Sequence, residues 1–339
     1  MKLVPTLAAG AAGGGVALAL GLPLPWLLGA MIVTTVLSLA GVRQQPPVAS
    51  RKLVLVVIGV MLGAAFTPSV IDQIWLWGFS IAAMLVATMV MMVTAVWLGR
   101  HLAGYSMATA IYSGAPGGLS AITLMAADSD ADLRIVGITH AVRILILLLA
   151  IPPVLHLTGS ADLQLTGASG AGWLTMPSLD DALLLTLAGV AGAVAGRLLR
   201  LPNPLLFGPV FLSGALHVSG LTSAEIPPVL TALAQVVIGV SVGVRFQGAS
   251  LRDLGLPFAM AVVQALLLLL MAIFAAWLVS VVTGTSLLAA LLAYMPGGAP
   301  ELSLVALSLN IEPAFVTSHH LLRITFLLLL LPVLLRRWK

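Results

Sequence analysis

One short segment occurs twice in this chain. Tyr112-Ser-Gly-Ala-Pro-Gly-Gly118 returns as Tyr294-Met-Pro-Gly-Gly298, and placing Pro116 on Pro296 sets an offset of 180 residues. The same offset carries His140 onto His320, Arg143 onto Arg323, and Val56-Val-Ile-Gly-Val60 onto Val236-Val-Ile-Gly-Val240. Near the start the offset is 179, where Pro23-Leu-Pro25 meets Pro202-Asn-Pro204 and Gly29 meets Gly208. A chain written twice folds as two related halves, and the repeated Pro-Gly-Gly is the centre of each.

The residues around these motifs are 60% hydrophobic and 8% charged. Soluble domains are about one quarter charged, so the chain reads as an integral membrane protein whose spans are helices. A transmembrane barrel would alternate polar and apolar residues. The chain has no cysteine, which removes disulfides, thiolate metal sites and thiol nucleophiles. Its basic residues sit singly at span ends rather than in a patch, which argues against nucleic acid as a partner. The apolar run after Met1-Lys2 resembles a signal peptide, but its repeat near 183–195 lies mid-chain, so it is expected to be a retained span.

Apolar stretches fall near 5–20, 24–41, 53–67, 75–99 and 135–155, and again near 183–197, 203–217, 229–244, 257–282 and 314–335. The interrupted segments, 104–130 and 286–311, each precede the last stretch of their half. Lys and Arg concentrate on the cytoplasmic side of membranes. If each interrupted segment enters and leaves on one face, every Lys and Arg except Arg143 and Arg323 is cytoplasmic, as are both termini. If the segments cross, Arg197, Arg200, Arg245 and Arg252 move outside. The expectation is therefore an all-α polytopic protein with two inverted repeats of five transmembrane helices, each with one re-entrant Pro-Gly-Gly hairpin. Residues 1–155 form repeat one, 156–182 an extracytoplasmic linker and 183–339 repeat two. The arms 104–115 and 118–130 are each roughly 18 Å of helix, enough to reach mid-membrane.

Broken helices meeting near the midplane are how many secondary transporters hold substrate. Gly117, Gly118, Gly297 and Gly298 would let backbone approach a ligand, with Ser113, Ser120, Thr123 and Ser303 beside them. The plainer reading is a kinked helix, with hydroxyls bonded back to helix carbonyls. Arg143 and Arg323 lie in apolar spans, where an arginine must face the bundle interior with a partner. They would form a fork for an anion such as a carboxylate, or tie down carbonyls of a broken helix, or pair with Glu301. His140 and His320, three residues before the arginines, share their helix faces. With Glu301 they are candidates for H+ or Na+ coupling, although a buried histidine more often satisfies a neighbour. The histidines make a poor metal site, since His319 and His320 point apart on a helix. Glycines 10, 13, 14 and 15, with 189, 192 and 196, read as close helix packing.

Two half-repeats, one carrying Ser113-Gly-Ala-Pro-Gly-Gly-Leu-Ser120 and His140-Ala-Val-Arg143, the other Met295-Pro-Gly-Gly-Ala-Pro-Glu301 and His319-His-Leu-Leu-Arg323, resemble the membrane AbrB-type family. That family is distinct from the small soluble DNA-binding regulators of similar name. The resemblance covers nearly the whole chain and implies a bacterial inner-membrane protein. Family members also carry the labels ammonia monooxygenase and regulator of another gene's expression. A monooxygenase needs a metal or cofactor, and the sequence has no ligand cluster for one. A DNA-binding regulator needs a soluble basic module, and the longest hydrophilic stretch is the linker. The expected function is a secondary transporter of a small organic anion, not an enzyme and without a cofactor. The rival readings are a membrane sensor without flux and a membrane monooxygenase. A homodimer is compatible with the chain, and no residue pattern specifies one.

Overall fold

The computed structural model describes residues 2–117, 122, 125–158, 173–248 and 251–336. Gly118, Ser120, Thr123 and most of the linker lie outside the described residues. Every regular element among the described residues is helical. The first half contains α1 (Leu3–Ala19), α2 (Pro25–Leu39), α3 (Val48–Ala64), α4 (Pro68–Gln73), α5 (Gly78–His101), α6 (Met107–Gly114) and α7 (Leu133–Leu157). The second contains α8 (Leu179–Leu198), α9 (Pro204–Val218), α10 (Pro228–Gly243), α11 (Leu251–Thr283), α12 (Leu287–Tyr294), α13 (Ala299–Ser308) and α14 (Pro313–Arg336). Each of the ten apolar stretches contains a helix. Among the described residues six helical runs are long and apolar enough to cross a membrane: 68–101, 133–157, 179–198, 228–246, 255–283 and 313–335. Helix α7 runs to Leu157 and α8 starts at Leu179, so both helices reach into the stretch expected as linker.

Local chemistry sets the helix ends. Proline opens α2, α4, α9, α10 and α14, where its missing N–H would have had no helical partner. Leu24 and Asn203 precede two of these prolines with left-handed φ of 51° and 48°, at the 179-residue offset. Ser106 accepts from Thr109 N and Ser286 from Ala289 N, capping α6 and α12 at the 180-residue offset. These caps shorten the arms before the breaks to eight residues, about 12 Å of helix rather than 18 Å.

The described residues form two compact units, and each draws on both halves of the chain. The first comprises Met1–Trp75, Leu149–Gly248 and Ser303–Ala314. In it α1 packs on α2 and α8 on α9, while α2 packs on α10 and α9 on α3. Glycines permit this. A Cβ on Gly29 would collide with the Gly13 carbonyl, and one on Gly208 with the Gly192 carbonyl. Likewise a Cβ on Gly59 would meet Leu206 O and one on Gly239 would meet Leu27 O. These are the same contacts at offsets of 179 or 180, so the two halves cross each other in equivalent ways. Gly10, Gly14, Gly189 and Gly196 also sit at tight contacts, whereas Gly15 faces open space.

The second unit comprises Leu76–Leu148, Ala249–Leu302 and Phe315–Lys339. Its α5 exposes Val86, Val90 and Trp97, and its α11 exposes Leu266, Leu270 and Trp277, again at the 180-residue offset. Such apolar stripes belong against lipid. The protein is a multi-pass, membrane-embedded bundle of helices.

Gly29→Ala and Gly208→Ala are expected to lower stability in detergent or nanodiscs by about 1–3 kcal/mol, the usual cost of overpacking. Gly15→Ala is expected to leave it unchanged. Melting curves of the three variants check this.

Candidate functional site

Within the second unit both helices α6 and α12 stop at a proline-glycine turn. The end of an α-helix leaves carbonyls without intrahelical partners. Here Ala115 N still donates to Ile111 O at 2.9 Å and Met295 N to Leu291 O at 2.8 Å. The next carbonyls are satisfied from α7 and α14. His140 Nε2 donates to Tyr112 O at 2.9 Å, and His320 Nε2 to Leu292 O at 3.1 Å. A carbonyl can only accept, so each ring carries its proton on Nε2.

The arginines complete the pattern. Arg143 donates from Nη1 to Ala115 O at 2.9 Å and from Nη2 to Ser113 O at 2.5 Å. Arg323 donates from Nη1 to Met295 O at 2.6 Å and from Nη2 to Ala293 O. Each guanidinium spans two carbonyls of one break as a fork, which suits its planar donor array and the negative end of a helix dipole. Three side-chain hydrogen bonds thus recur at one offset, six in all. Of the readings open for the arginines, the structure shows carbonyl ties. Both arginines are 1% exposed.

Each break also packs against the last long helix of the other half. A Cβ on Gly117 would lie 2.9 Å from Leu327 of the second half, and one on Gly297 would lie 3.4 Å from Leu147 of the first. Leu147 and Leu327 are 180 apart. Gly117 and Gly297, expected to face a ligand, here make room for leucines. Ser113 is fully buried, with its hydroxyl 3.4 Å from Ala110 O on its own helix. Gly118 and Ser120 lie outside the described residues.

The second break differs from the first around Glu301. This carboxylate is 2% exposed and occupies the first turn of α13, where the positive end of the helix dipole favours it. It folds back over the turn, so a Cβ on Gly298 would collide with its Oε2.

Four further polar side chains belong to the site: Gln264, His319, Ser80 and Tyr294. Gln264 accepts from Arg143 Nη2 at 3.0 Å and donates to Ala95 O at 3.2 Å. Its counterpart Met84, 180 residues earlier, places Sδ 3.4 Å from Arg323 Nε. His319 donates from Nδ1 to Phe315 O at 2.8 Å and turns Nε2 to Ser80 Oγ at 3.0 Å. Tyr294 OH donates to Ser80 O at 2.5 Å. Gln264 is the amide in an otherwise apolar span, a signal that could have marked it. His319 and His320 take different partners, and among the described residues no cluster of three His, Cys, Asp or Glu side chains could hold a metal.

Fold and site define a polytopic helical membrane protein with two breaks tied by arginine. The chain belongs to the AbrB family: the family profile described as transition state regulatory protein AbrB matches residues 4–339. It is 26% identical over 349 residues to an uncharacterized protein, YhjN, of Bacillus subtilis (strain 168), covering 96% of this chain and 90% of that one. It is 27% identical over 319 residues to a protein of Escherichia coli (strain K12) named as a candidate regulator, AbrB, covering 94% and 91%.

Gly298→Ala is expected to destabilise the protein by about 1–3 kcal/mol through overpacking. The loss should shrink markedly when Glu301→Ala is made in the same chain, because the colliding atom is then gone. A double-mutant cycle on melting temperature measures the coupling.

Proposed function

We propose that the protein is a secondary transporter of a small organic anion. The observation that carries this reading is the charge inside the second unit. Its side chains under 3% exposed include two arginines, Arg143 and Arg323, against one carboxylate, Glu301. An uncompensated buried charge is costly, and a bound monoanion would balance it. Broken helices are also how transporters present backbone and dipole ends to substrate. In this reading the Pro-Gly-Gly segments are re-entrant hairpins in inverted repeats, and both termini are cytoplasmic. The Arg143 Nε–H, buried without a hydrogen-bond partner among the described residues, faces the anion. Glu301, His140 and His320 carry the coupling proton or respond to Na+. The bilayer is that of the bacterial inner membrane.

The name of the Escherichia coli relative supports a second reading, a regulator that senses without transport. One experiment separates them. Protein reconstituted in proteoliposomes is given radiolabelled monocarboxylates under an imposed pH or Na+ gradient. The transport reading expects accumulation above the equilibrium level, and expects Glu301→Gln to abolish the gradient dependence. Binding without accumulation would favour the sensor, and no binding at all would overturn the substrate class.

A further inference from the structure

The first unit holds a cavity of about 590 Å³, within the size range of small-molecule sites. Exposed Thr67, Glu225 and Asn310 ring its mouth, and buried Leu24, Met61 and Gln235 line its interior. Among the described residues no Lys, Arg or His lines it, and Glu225 is its one ionisable side chain. An organic anion would therefore meet acid at the entrance and no cation inside.

Gln235 says more. It is 6% exposed, and its Nε2 donates to Ser308 Oγ at 2.8 Å. Ser308 Oγ in turn donates to Leu304 O at 2.7 Å, so its proton is committed and it can only accept from Gln235. This fixes the amide orientation, which coordinates alone leave ambiguous. Gln235 Oε1 is then a buried acceptor with no hydrogen-bond partner among the described residues. A buried acceptor is expensive to leave unmatched. The Trp26 indole lines the same cavity, its Nε1–H likewise buried without a hydrogen-bond partner among the described residues.

We propose that this cavity is a binding site for a small organic ammonium ion with an apolar body, whose N–H groups satisfy Gln235 Oε1 and whose charge is met by Glu225. The site is separate from the arginine-tied breaks and does not depend on anion transport.

Three probes of similar shape test it: 2-phenylethylammonium, 2-phenylethanol and 3-phenylpropionate, titrated against the full-length protein in nanodiscs by thermal melting. A ligand that binds only the folded state raises the melting temperature with its concentration. The ammonium is expected to do so and the carboxylate not. Glu225→Gln, at the exposed mouth, is expected to fold normally and to weaken the ammonium response at least about tenfold, the loss of one charge-assisted hydrogen bond. Gln235→Leu should weaken it further. The proposal is overturned if the ammonium produces no shift, if all three probes act alike, or if Glu225→Gln responds as the wild type does.

Discussion

A helix that breaks in an apolar interior leaves carbonyls that water cannot reach, and this structure meets that constraint with arginine. Each unmatched buried carbonyl costs about 1–3 kcal/mol. Arg143 and Arg323 each satisfy two of them, and His140 and His320 satisfy one more apiece. The reach from α7 to α6, and from α14 to α12, follows from those bonds. So does the position of each Pro-Gly-Gly turn. The same choice places two buried arginines in the second unit.

The departures from repetition matter as much as the repetition. Met84 stands where the other half has Gln264, and Thr139 where it has His319. Arg143 thus gains an amide oxygen, while Arg323 meets a thioether. His319 adds a polar link to Ser80 beside the second break only. Glu301 likewise has an alanine, Ala121, as its counterpart. The two breaks are held by one device but surrounded by different chemistry.

Much of this was legible from the residues. The offset named the equivalent positions, and the solid apolar stretches located helices because nothing else satisfies backbone in lipid. The glycines at 10, 13, 14, 189, 192 and 196 read correctly as close packing, since a side chain has no room at such contacts. Other features were hidden for physical reasons. Two of the three partners of Arg143 are main-chain carbonyls 28 and 30 residues earlier in the chain, and every residue has a carbonyl. The arms were read too long because Ser106 and Ser286 look like ordinary polar residues until they are seen to cap. Gly15 sits in the same run as Gly13 and Gly14 but points elsewhere, a matter of helix phase. The two compact units interleave both halves, which depends on contacts between helices far apart in sequence.

The most direct test of the central claim is the unfolding equilibrium of Arg323→Lys and Arg323→Met in nanodiscs, each compared with its Arg143 equivalent. Lysine keeps the charge but is a point donor, so it cannot span the carbonyls of Ala293 and Met295 as a fork. The account predicts that both Arg323 variants lose stability, by about 3–5 kcal/mol for methionine, as when one partner of a buried polar pair is removed. The lysine variant should recover only part of that loss, and the Arg143 pair should behave the same way. A lysine variant as stable as the wild type, or a methionine variant that loses nothing, would contradict it.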